Sequence, residues 1–298
     1  MTVEVDRHEG PLAAGPAAEV RALAGAAAAA DGVDPLAEHV LLHLRREGAV
    51  HLLARDDAGQ LVGYAFLDTA GGNTTAELVV RPANRRYGLG RALASSAIEV
   101  AGALQVWAHG DHPAAAALAR PLGFTRGRVL FQLRRSLLDP IPAPALPDGV
   151  ALRPFRPGAD DTAWLAVNAR AFADHPEQGR WTGTDLRMRM AEPWFDPAGF
   201  LLAVRERDGR LVGFHWTKVH HDPEIGEVYV LGVDPSAHGL GLGTALTLAG
   251  LRHLREHGLD RAMLYVDESN RAAVALYTKL GFERWSVDVM YTRDPASG

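Results

Sequence analysis

Apolar positions along the chain follow two patterns, and each pattern predicts its own kind of element. Segments 52–66 and 201–216 are apolar runs broken by an Asp/Gly turn, and each resumes with Leu-Val-Gly followed by an aromatic residue. Such a pair of runs is typical of a β-hairpin. Segment 19–30 is rich in alanine and ends at Asp31 and Gly32, which predicts a helix stopped by glycine.

A proline-rich segment divides the chain nearly in half. Residues 137–149 contain four prolines, which remove backbone donors and favour extended conformations, so neither a helix nor a central strand is expected there. We therefore predict an N-terminal domain over residues 1–136, a linker over 137–149 and a C-terminal domain over 150–298.

The two halves repeat one order of elements. A strand, a proline-containing turn, a Gly-x-Gly sequence and an amphipathic helix are followed by a second strand and a short helix that closes on Leu-Gly-Phe. The matching segments, first half before second, are 76–101 with 229–254, 104–110 with 262–268, and 112–124 with 270–282. We expect two tandem copies of one α/β domain, with helices packed on a mixed sheet (α+β).

The glycine turns are candidates for phosphate binding. A strand that passes through a glycine-rich turn into a helix leaves the first backbone N–H groups of that helix unpaired and pointing at one spot. A tight turn without a ligand is the alternative. Neither turn has the Gly-Lys-Ser/Thr of a Walker A loop, and the glycines stand mid-domain after a proline, unlike a dinucleotide fingerprint. Three arginines add positive charge in the first half: Arg85, Arg86 and Arg91.

The amino-acid composition limits the kinds of site and the classes of binding partner that are expected. The 298 residues include no cysteine, which excludes disulfides, thiolate metal sites and a cysteine nucleophile. The 31 Lys and Arg against 36 Asp and Glu give a net charge of −5, so we expect no nucleic acid or membrane partner. No apolar run is long enough to span a bilayer, and the N-terminus is acidic. We predict a cytoplasmic monomer.

The closing motif carries a family resemblance. Arg/Gln-x-x-Gly-x-Gly/Ala after a strand, followed by Asn-x-x-Ala-x-x-x-Tyr-x-x-x-Gly-Phe, resembles the GNAT acetyltransferase superfamily. The second half has the closing motif in full: Asn270, Ala273, Tyr277, Gly281 and Phe282. The resemblance implies acetyl-CoA as the acetyl donor and no metal. One departure is His238, which stands where Arg or Gln is usual.

The resemblance also implies which residues hold acetyl-CoA. In that superfamily the turn holds the pyrophosphate, and the preceding splayed strand pairs with the pantetheine arm. In the first half these residues are Leu78, Val79, Val80, Arg86, Tyr87, Gly88, Leu89, Gly90 and Arg91. In the second half they are Leu231, Gly232, Val233, His238, Gly239, Leu240, Gly241, Leu242, Gly243, Thr244, Asn270, Arg271, Ala272, Ala273, Val274 and Ala275.

Only the second half has both candidates for proton transfer. Acetylation of an amine needs a base for the ammonium proton and an acid for the leaving thiolate. Glu227 and Tyr277 fit these roles, whereas the first half has Thr74 and Ala119 at the matching positions. A solvated strand carboxylate and a packing aromatic residue are the alternatives. We predict a catalytic second domain and a first domain that binds acetyl-CoA without turning it over.

Longer strings narrow the substrate. VYVLGVDPSAHGLGLG and LYVDESNRAAVALYTKLGF resemble the tandem GNAT enzymes that acetylate the cysteinyl amine of cysteinyl-glucosaminyl-inositol. That resemblance implies that the substrate lies between the domains, in contact with Glu38, Glu177, Lys218, Glu227 and Tyr265. Another N-acetyltransferase of a small-molecule or peptide amine, and a non-catalytic acetyl-CoA-binding module, are the alternatives.

Two groups of histidines are candidates for a metal site. His253, Glu256 and His257 have the spacing of an inverted zinc-peptidase motif, because positions i and i+4 share a helix face. We interpret them as a solvated helix face. Segment 220–223, His-His-Asp-Pro, is interpreted as a hairpin turn.

Overall fold

The computed structural model describes residues 5–69, 74–173, 175, 178–221 and 224–294. Contacts divide the chain into two compact units of discontinuous sequence. The first unit comprises Met1–Phe131, Asp267–Ser269 and Ser286–Gly298, and the second comprises Gln132–Val266 and Asn270–Trp285.

Ten elements come from the first half of the sequence. The strands are β1 (Val5–Glu9), β2 (Ala49–Arg55), β3 (Leu61–Asp68), β4 (Thr74–Val80), β5 (Leu104–Ala108) and β6 (Thr125–Ser136). The helices are α1 (Ala14–Asp31), α2 (Glu38–His43), α3 (Leu89–Ala101) and α4 (Pro113–Ala119).

The second half forms a matching series. Its strands are β7 (Val150–Pro154), β8 (Phe200–Arg205), β9 (Arg210–His221), β10 (Glu224–Val233), β11 (Arg261–Asp267) and β12 (Glu283–Arg293). Its helices are α5 (Asp161–Ala171), α6 (Gly183–Met190), α7 (Leu242–Glu256) and α8 (Arg271–Lys279).

In the first unit the strands run in the order β1-β2-β3-β4-β5, and residues 289–293 of β12 pair with the far side of β5. The β4–β5 pair is parallel and the other pairs are antiparallel. Helices α1 and α2 pack on one face of this sheet and α3 packs on the other. Strand β3 is therefore buried on both faces, which explains its continuous apolar run.

The second unit repeats this plan. Its strands run in the order β7-β8-β9-β10-β11, with β6 following β11. The β10–β11 pair is parallel, and the hairpin pairs β7–β8, β8–β9 and β9–β10 are antiparallel. An aromatic core that includes α5 and α6 covers one face, and α7 packs on the other.

The Leu-Val-Gly-aromatic motif has a packing reason in both units. A Cβ at Gly63 would lie 3.0 Å from Leu93 Cδ1 of α3, and a Cβ at Gly213 would lie 3.0 Å from Leu246 Cδ1 of α7. These glycines let the helix that follows each glycine turn approach the sheet closely.

The predicted α/β fold and the two hairpins are confirmed. The alanine-rich helix ends as predicted, with Gly32 at φ 70°. It begins at Ala14, earlier than predicted, because Pro16 lies in the first turn, where a backbone donor is not needed. Residues 137–149 form neither helix nor strand, and the boundaries at 136 and 150 stay a prediction. Among the described helices, none is long and apolar enough to cross a membrane.

Candidate active site

In each unit two parallel strands pair over only part of their length. Strand β10 pairs with β11 through residues 226–228, and residues 230–233 are paired with β9. Strand β4 pairs with β5 through residues 74–77, and residues 78–80 remain paired with β3. Each fork leaves backbone N–H and C=O groups of the predicted cofactor strands directed to the side where the parallel strand has diverged.

Each fork leads into a glycine turn at the start of a helix. Helix α7 follows Gly241, at φ 76°, and Gly239 has φ 78°. Helix α3 follows Gly88, at φ 88°, and Arg86 has φ 71° at the position of Gly239. Neither helix has a side-chain cap. The first N–H groups of both helices thus have no side-chain cap, and phosphate binding at the two turns stays a prediction.

The basic residue before each glycine turn binds the end of the preceding strand. Arg85 Nε donates to Val80 O over 3.2 Å, and His238 Nε2 lies 3.1 Å from Val233 O. Arg85 also makes two 2.7 Å hydrogen bonds to the carboxylate of Asp31. His238 therefore takes over a structural contact of the arginine, and Arg86 and Arg91 are the exposed cations of the first turn.

The asparagine of the closing motif begins α8. Asn270 Oδ1 accepts from Ala273 N over 3.1 Å, so this side chain is an N-cap, and residues 271–275 form the first turns of the helix. His112 has the same role in the first unit, where Nδ1 accepts from Ala114 N over 3.2 Å. The asparagine-to-histidine difference between the halves thus keeps the cap.

Tyr277 lies near the end of α8 and is buried. Its ring meets Phe282 edge to face, with the ring centroids 5.7 Å apart. Burial raises the pKa of Tyr277 to about 12, so the phenol stays protonated at neutral pH. The matching position in the first unit is Ala119, the last residue of α4.

The Glu227 carboxylate belongs to a cluster on one face of β9 and β10. Lys218 lies directly opposite Glu227 in the strand register, and both residues are buried. His220 Nε2 lies 2.7 Å from Glu227 Oε2. The interpretation of 220–223 as a turn is wrong for its two histidines, because β9 continues through His221; residues 222 and 223 lie outside the described residues.

Aromatic side chains surround the base of this cluster. The Lys218 ammonium lies 4.8 Å from the ring centroid of Trp194 and 5.4 Å from that of Tyr229. Buried Arg189 donates from Nε to the Tyr229 hydroxyl over 2.7 Å and stacks on Trp181 at 3.7 Å. These cation–π contacts fix the positions of the aromatic side chains that pack beside Lys218.

A β-bulge distinguishes the catalytic candidate strand from its counterpart. The register of β9 and β10 shifts between Val228 and Val230, whereas β3 and β4 pair without a break. In the second unit, the residue five positions after Gly213 lies opposite Glu227. In the first unit, the residue five positions after Gly63 lies opposite Thr75. Counting along the sequence predicts Thr74 instead, because it omits the extra residue of the bulge.

The other predicted substrate residues lie on different elements. Glu38 is the first residue of α2 in the first unit and is half-buried. Tyr265 lies on β11 in the second unit, where its hydroxyl accepts from Gln132 Nε2 over 2.7 Å. Glu177 lies outside the described residues.

A buried ionic network lies at the fork of the first unit. The Glu77 carboxylate accepts from Ala37 N over 2.6 Å and lies 3.3 Å from His109 Nε2. His109 Nδ1 lies 3.0 Å from Asp288 Oδ2, and Asp288 Oδ1 accepts from Gly110 N over 2.9 Å. The fork of this unit therefore holds a carboxylate–imidazole–carboxylate array.

Mutual contacts outweigh burial in this network. Burial alone disfavours the charged forms, but hydrogen bonds to Asp288 and Glu77 raise the pKa of His109 to about 10. Burial would likewise raise the pKa of Glu77, yet the hydrogen bond and charge of His109, with His39 nearby, hold it below its usual value. His109 and Glu77 are therefore both charged at neutral pH.

The sequence patterns did not point to four residues of these two clusters: Glu77, His109, Asp288 and His220. Glu77 stands inside an apolar strand and His109 directly follows one, and a polar residue in such a place is a usable signal. Asp288 offers no such signal, because it is 179 residues from His109 in the chain. The sequence pattern places His220 in a predicted hairpin turn, and this hid its contact with Glu227.

The comparisons with known proteins match both halves. A model of the acetyltransferase (GNAT) family matches residues 164–282, and a model of the acetyltransferase (GNAT) domain matches residues 47–126. A solved tandem GNAT protein from the clavulanic acid biosynthesis pathway shares the fold, with a TM-score of 0.75, 23% identity, and coverage of 98% of this chain and 99% of that chain. The protein is a tandem GNAT acetyltransferase.

Relatives of known name narrow the family. The chain is 64% identical over 283 residues to the mycothiol acetyltransferase of Salinispora tropica, covering 92% of each chain. It is 64% identical over 285 residues to the mycothiol acetyltransferase of Salinispora arenicola, covering 93% of this chain and 92% of the relative. The chain belongs to the mycothiol acetyltransferase family.

Proposed function

We propose that this enzyme is a mycothiol synthase, which transfers the acetyl group of acetyl-CoA to the cysteinyl amine of cysteinyl-glucosaminyl-inositol. The observation that carries the proposal is the buried Glu227 carboxylate beside Lys218 and His220, at the fork that leads into the second glycine turn. The family membership selects this amine among the possible ones. Net charge −5 favours a small-molecule partner over a polyanion, and we propose a cytoplasmic monomer.

The second glycine turn fits the pyrophosphate of acetyl-CoA. A Cβ at Gly239 or Gly241 would meet no protein atom within 4 Å, so the backbone is accessible at the uncapped start of α7. Residues 231–233 offer backbone groups to the pantetheine arm on the side away from β9. Acetyl-CoA, when bound, supplies the activated acetyl thioester.

Glu227 is proposed as the base. The amine attacks in its neutral form, which is well populated near neutral pH because an α-amine has a pKa of about 8. The nitrogen becomes positively charged as the N–C bond forms, its pKa falls, and its proton then passes to Glu227, directly or through one water. His220 holds one carboxylate oxygen, and the other oxygen is the proposed proton acceptor.

Tyr277 is proposed to stabilise the leaving thiolate. Complete proton transfer from a phenol with a pKa of about 12 to a thiolate with a pKa near 8.5 costs roughly 5 kcal/mol. Donation of a hydrogen bond as charge develops on sulfur avoids that cost. We therefore expect Tyr277 to act chiefly as a donor and to contribute less than Glu227.

The first unit is proposed to bind acetyl-CoA without turning it over. It has the fork and the open helix start, but Thr75 and Ala119 stand at the positions of the two proton-transfer candidates. Glu77 is not proposed as the missing base, because the hydrogen bond and charge of His109 hold its pKa below the usual value, which makes it a weaker proton acceptor.

The function is tested by mixing the full-length enzyme with acetyl-CoA and cysteinyl-glucosaminyl-inositol and following the N-acetyl product by mass spectrometry. We expect acetyl-CoA-dependent loss of one amine, located on the cysteinyl residue. A thiol reagent is unsuitable for CoA release, because the substrate and product are themselves thiols. The chain has no cysteine, so the enzyme adds no background to thiol labelling of the product.

The matched control substrate is glucosaminyl-inositol, which keeps the sugar amine and lacks the cysteinyl group. We expect no acetylation of it. A higher kcat/KM for an unrelated amine than for the cysteinyl conjugate would favour a different N-acetyltransferase. No turnover of any amine, with acetyl-CoA still bound, would favour a binding module.

Substitution of Gly241 with Ala is expected to raise the KM for acetyl-CoA about tenfold. Alanine at φ 76° costs roughly 1–2 kcal/mol, and a relaxed turn would lose the alignment of the first N–H groups of α7. Steady-state kinetics with varied acetyl-CoA measure this change.

Gly88→Ala is the matched control, because Gly88 is the same left-handed N-cap in the first unit. Both variants should lose similar stability in thermal unfolding, but only Gly241→Ala should change the KM for acetyl-CoA. An equal rise in KM for Gly88→Ala would contradict the assignment of turnover to the second unit.

A further inference from the structure

We propose that Asp196, His253 and His257 form a binding site for a first-row divalent transition metal ion, with Zn²⁺ as the best match. One ligand atom from each residue lies within 4.8 Å of the others. The inference goes beyond acetyl transfer and does not depend on it. The sequence motif paired the two histidines with Glu256, whereas the structure pairs them with Asp196.

The distances suit a small metal ion. Asp196 Oδ2 lies 3.5 Å from His253 Nε2 and 3.9 Å from His257 Nε2. In a tetrahedral zinc site with bonds of about 2.0–2.1 Å, neighbouring ligand atoms are roughly 3.3 Å apart. The two separations from Asp196 are therefore within about 0.6 Å of the tetrahedral value, and the two histidine ligand atoms lie within 4.8 Å of each other.

Neighbouring groups already orient two of the ligands. His257 Nδ1 lies 2.8 Å from His253 O, and an N–H at this position leaves the Nε2 lone pair free to bind the ion. Asp196 Oδ1 accepts from Ala198 N over 2.9 Å, which directs Oδ2 toward the histidines. Metal-binding histidines and carboxylates commonly have such second contacts.

The ligand set selects the class of ion. Two imidazoles and one carboxylate suit Zn²⁺, Ni²⁺ or Cu²⁺, whereas Mg²⁺ and Ca²⁺ prefer all-oxygen ligands. Three protein ligands leave further positions for water. Asp196 and His257 are partly exposed, so an ion can reach the site from solvent.

A bound ion would join the end of α7 to the segment that carries Trp194. Asp196 follows Trp194 by two residues, and Trp194 contacts Lys218 in the candidate active site. The same segment is attached to β9 by the hydrogen bond from Thr217 Oγ1 to Gly199 O, 2.9 Å long. We therefore expect zinc to stabilise this segment and to change tryptophan fluorescence.

The test is calorimetric titration of the untagged full-length protein with ZnCl₂ in a non-chelating buffer. We expect one site with micromolar affinity in the native protein, and a loss of at least about tenfold in affinity for Asp196→Asn and for His257→Asn. At one zinc concentration, zinc should also raise the midpoint of thermal unfolding of the native protein by more than that of either variant.

Two controls match these substitutions. Glu256→Gln removes the same charge next to His257 but is exposed and is not a proposed ligand. His43→Asn removes a histidine with the same contact, Nδ1 to the carbonyl of His39 four residues earlier. Both controls should bind zinc as the native protein does. Equal zinc affinity in Asp196→Asn, in His257→Asn and in the native protein would overturn the proposal, as would a lack of saturable binding in all of them.

Discussion

Replacement of Glu227 by Gln should lower kcat by a factor of about 10² to 10⁴, because the amide cannot accept the ammonium proton. The KM for acetyl-CoA should change by less than about twofold, since the glycine turn is untouched. Initial rates with each substrate varied in turn, at a saturating concentration of the other, measure both effects. Glutamine retains the size of the side chain, so the contact with His220 can persist.

Glu224→Gln is the control for this substitution. Glu224 lies on the same strand and carries the same charge, but its side chain is exposed. Its kcat should match that of the native enzyme. A Glu227→Gln enzyme with native kcat would remove Glu227 as the base, and a raised KM for the amine in that enzyme would assign Glu227 to substrate binding.

The second large effect is expected at the buried network of the first unit. Replacement of His109 by Gln leaves the carboxylates of Glu77 and Asp288 without their shared cation. Removal of one partner from a buried ionic group typically costs about 3–5 kcal/mol, so we expect a loss of that size in the free energy of unfolding. Urea unfolding measures it.

The effect should depend on pH in a defined direction. His109 has a folded-state pKa of about 10, above its ordinary value near 6.5. Its stabilising contribution is thus fully present below the ordinary pKa and is lost as the pH rises through the folded-state pKa. Glu77 has a lowered pKa, so its contribution to stability has the opposite pH dependence and is lost as the pH falls into the acid range. The native protein should therefore exceed His109→Gln in stability most clearly near pH 6 and less at pH values approaching 10.

Asp111→Asn is the matched control, because Asp111 pairs with Arg126 at the surface of the same unit. An exposed pair contributes about 0–1 kcal/mol, and asparagine tolerates the left-handed backbone of Asp111. A His109→Gln loss no larger than this control, or one that is unchanged across the pH range, would contradict a charged buried network.

Local sequence signals were sufficient for the elements that depend on local physics. The hairpins follow from apolar runs around turn residues, and the glycine turns follow from the need for a positive φ before each helix. Gly63 and Gly213 belong to the motif that identifies the repeat in the sequence, and the structure adds the packing reason for them. These features were predictable because each depends on residues close together in the chain.

The candidate site was only partly predictable. Glu227 and Lys218 were implied by family resemblance, and the strand register brings them together. His220 joins them because β9 extends further than the His-His-Asp-Pro string indicated. The counterpart Thr75 was displaced by one position, because a bulge changes register without leaving a mark in the sequence.

The sequence by itself determined the duplication, the α/β elements of each half and the two open helix starts, because these arise from periodicity and from backbone preferences that act over a few residues. Only the tertiary structure decided that Asp288 completes a network with His109, and that Asp196 faces His253 and His257 at the end of α7. Those partners are distant in the chain, and their pairing follows from strand order and helix packing, which no local pattern encodes.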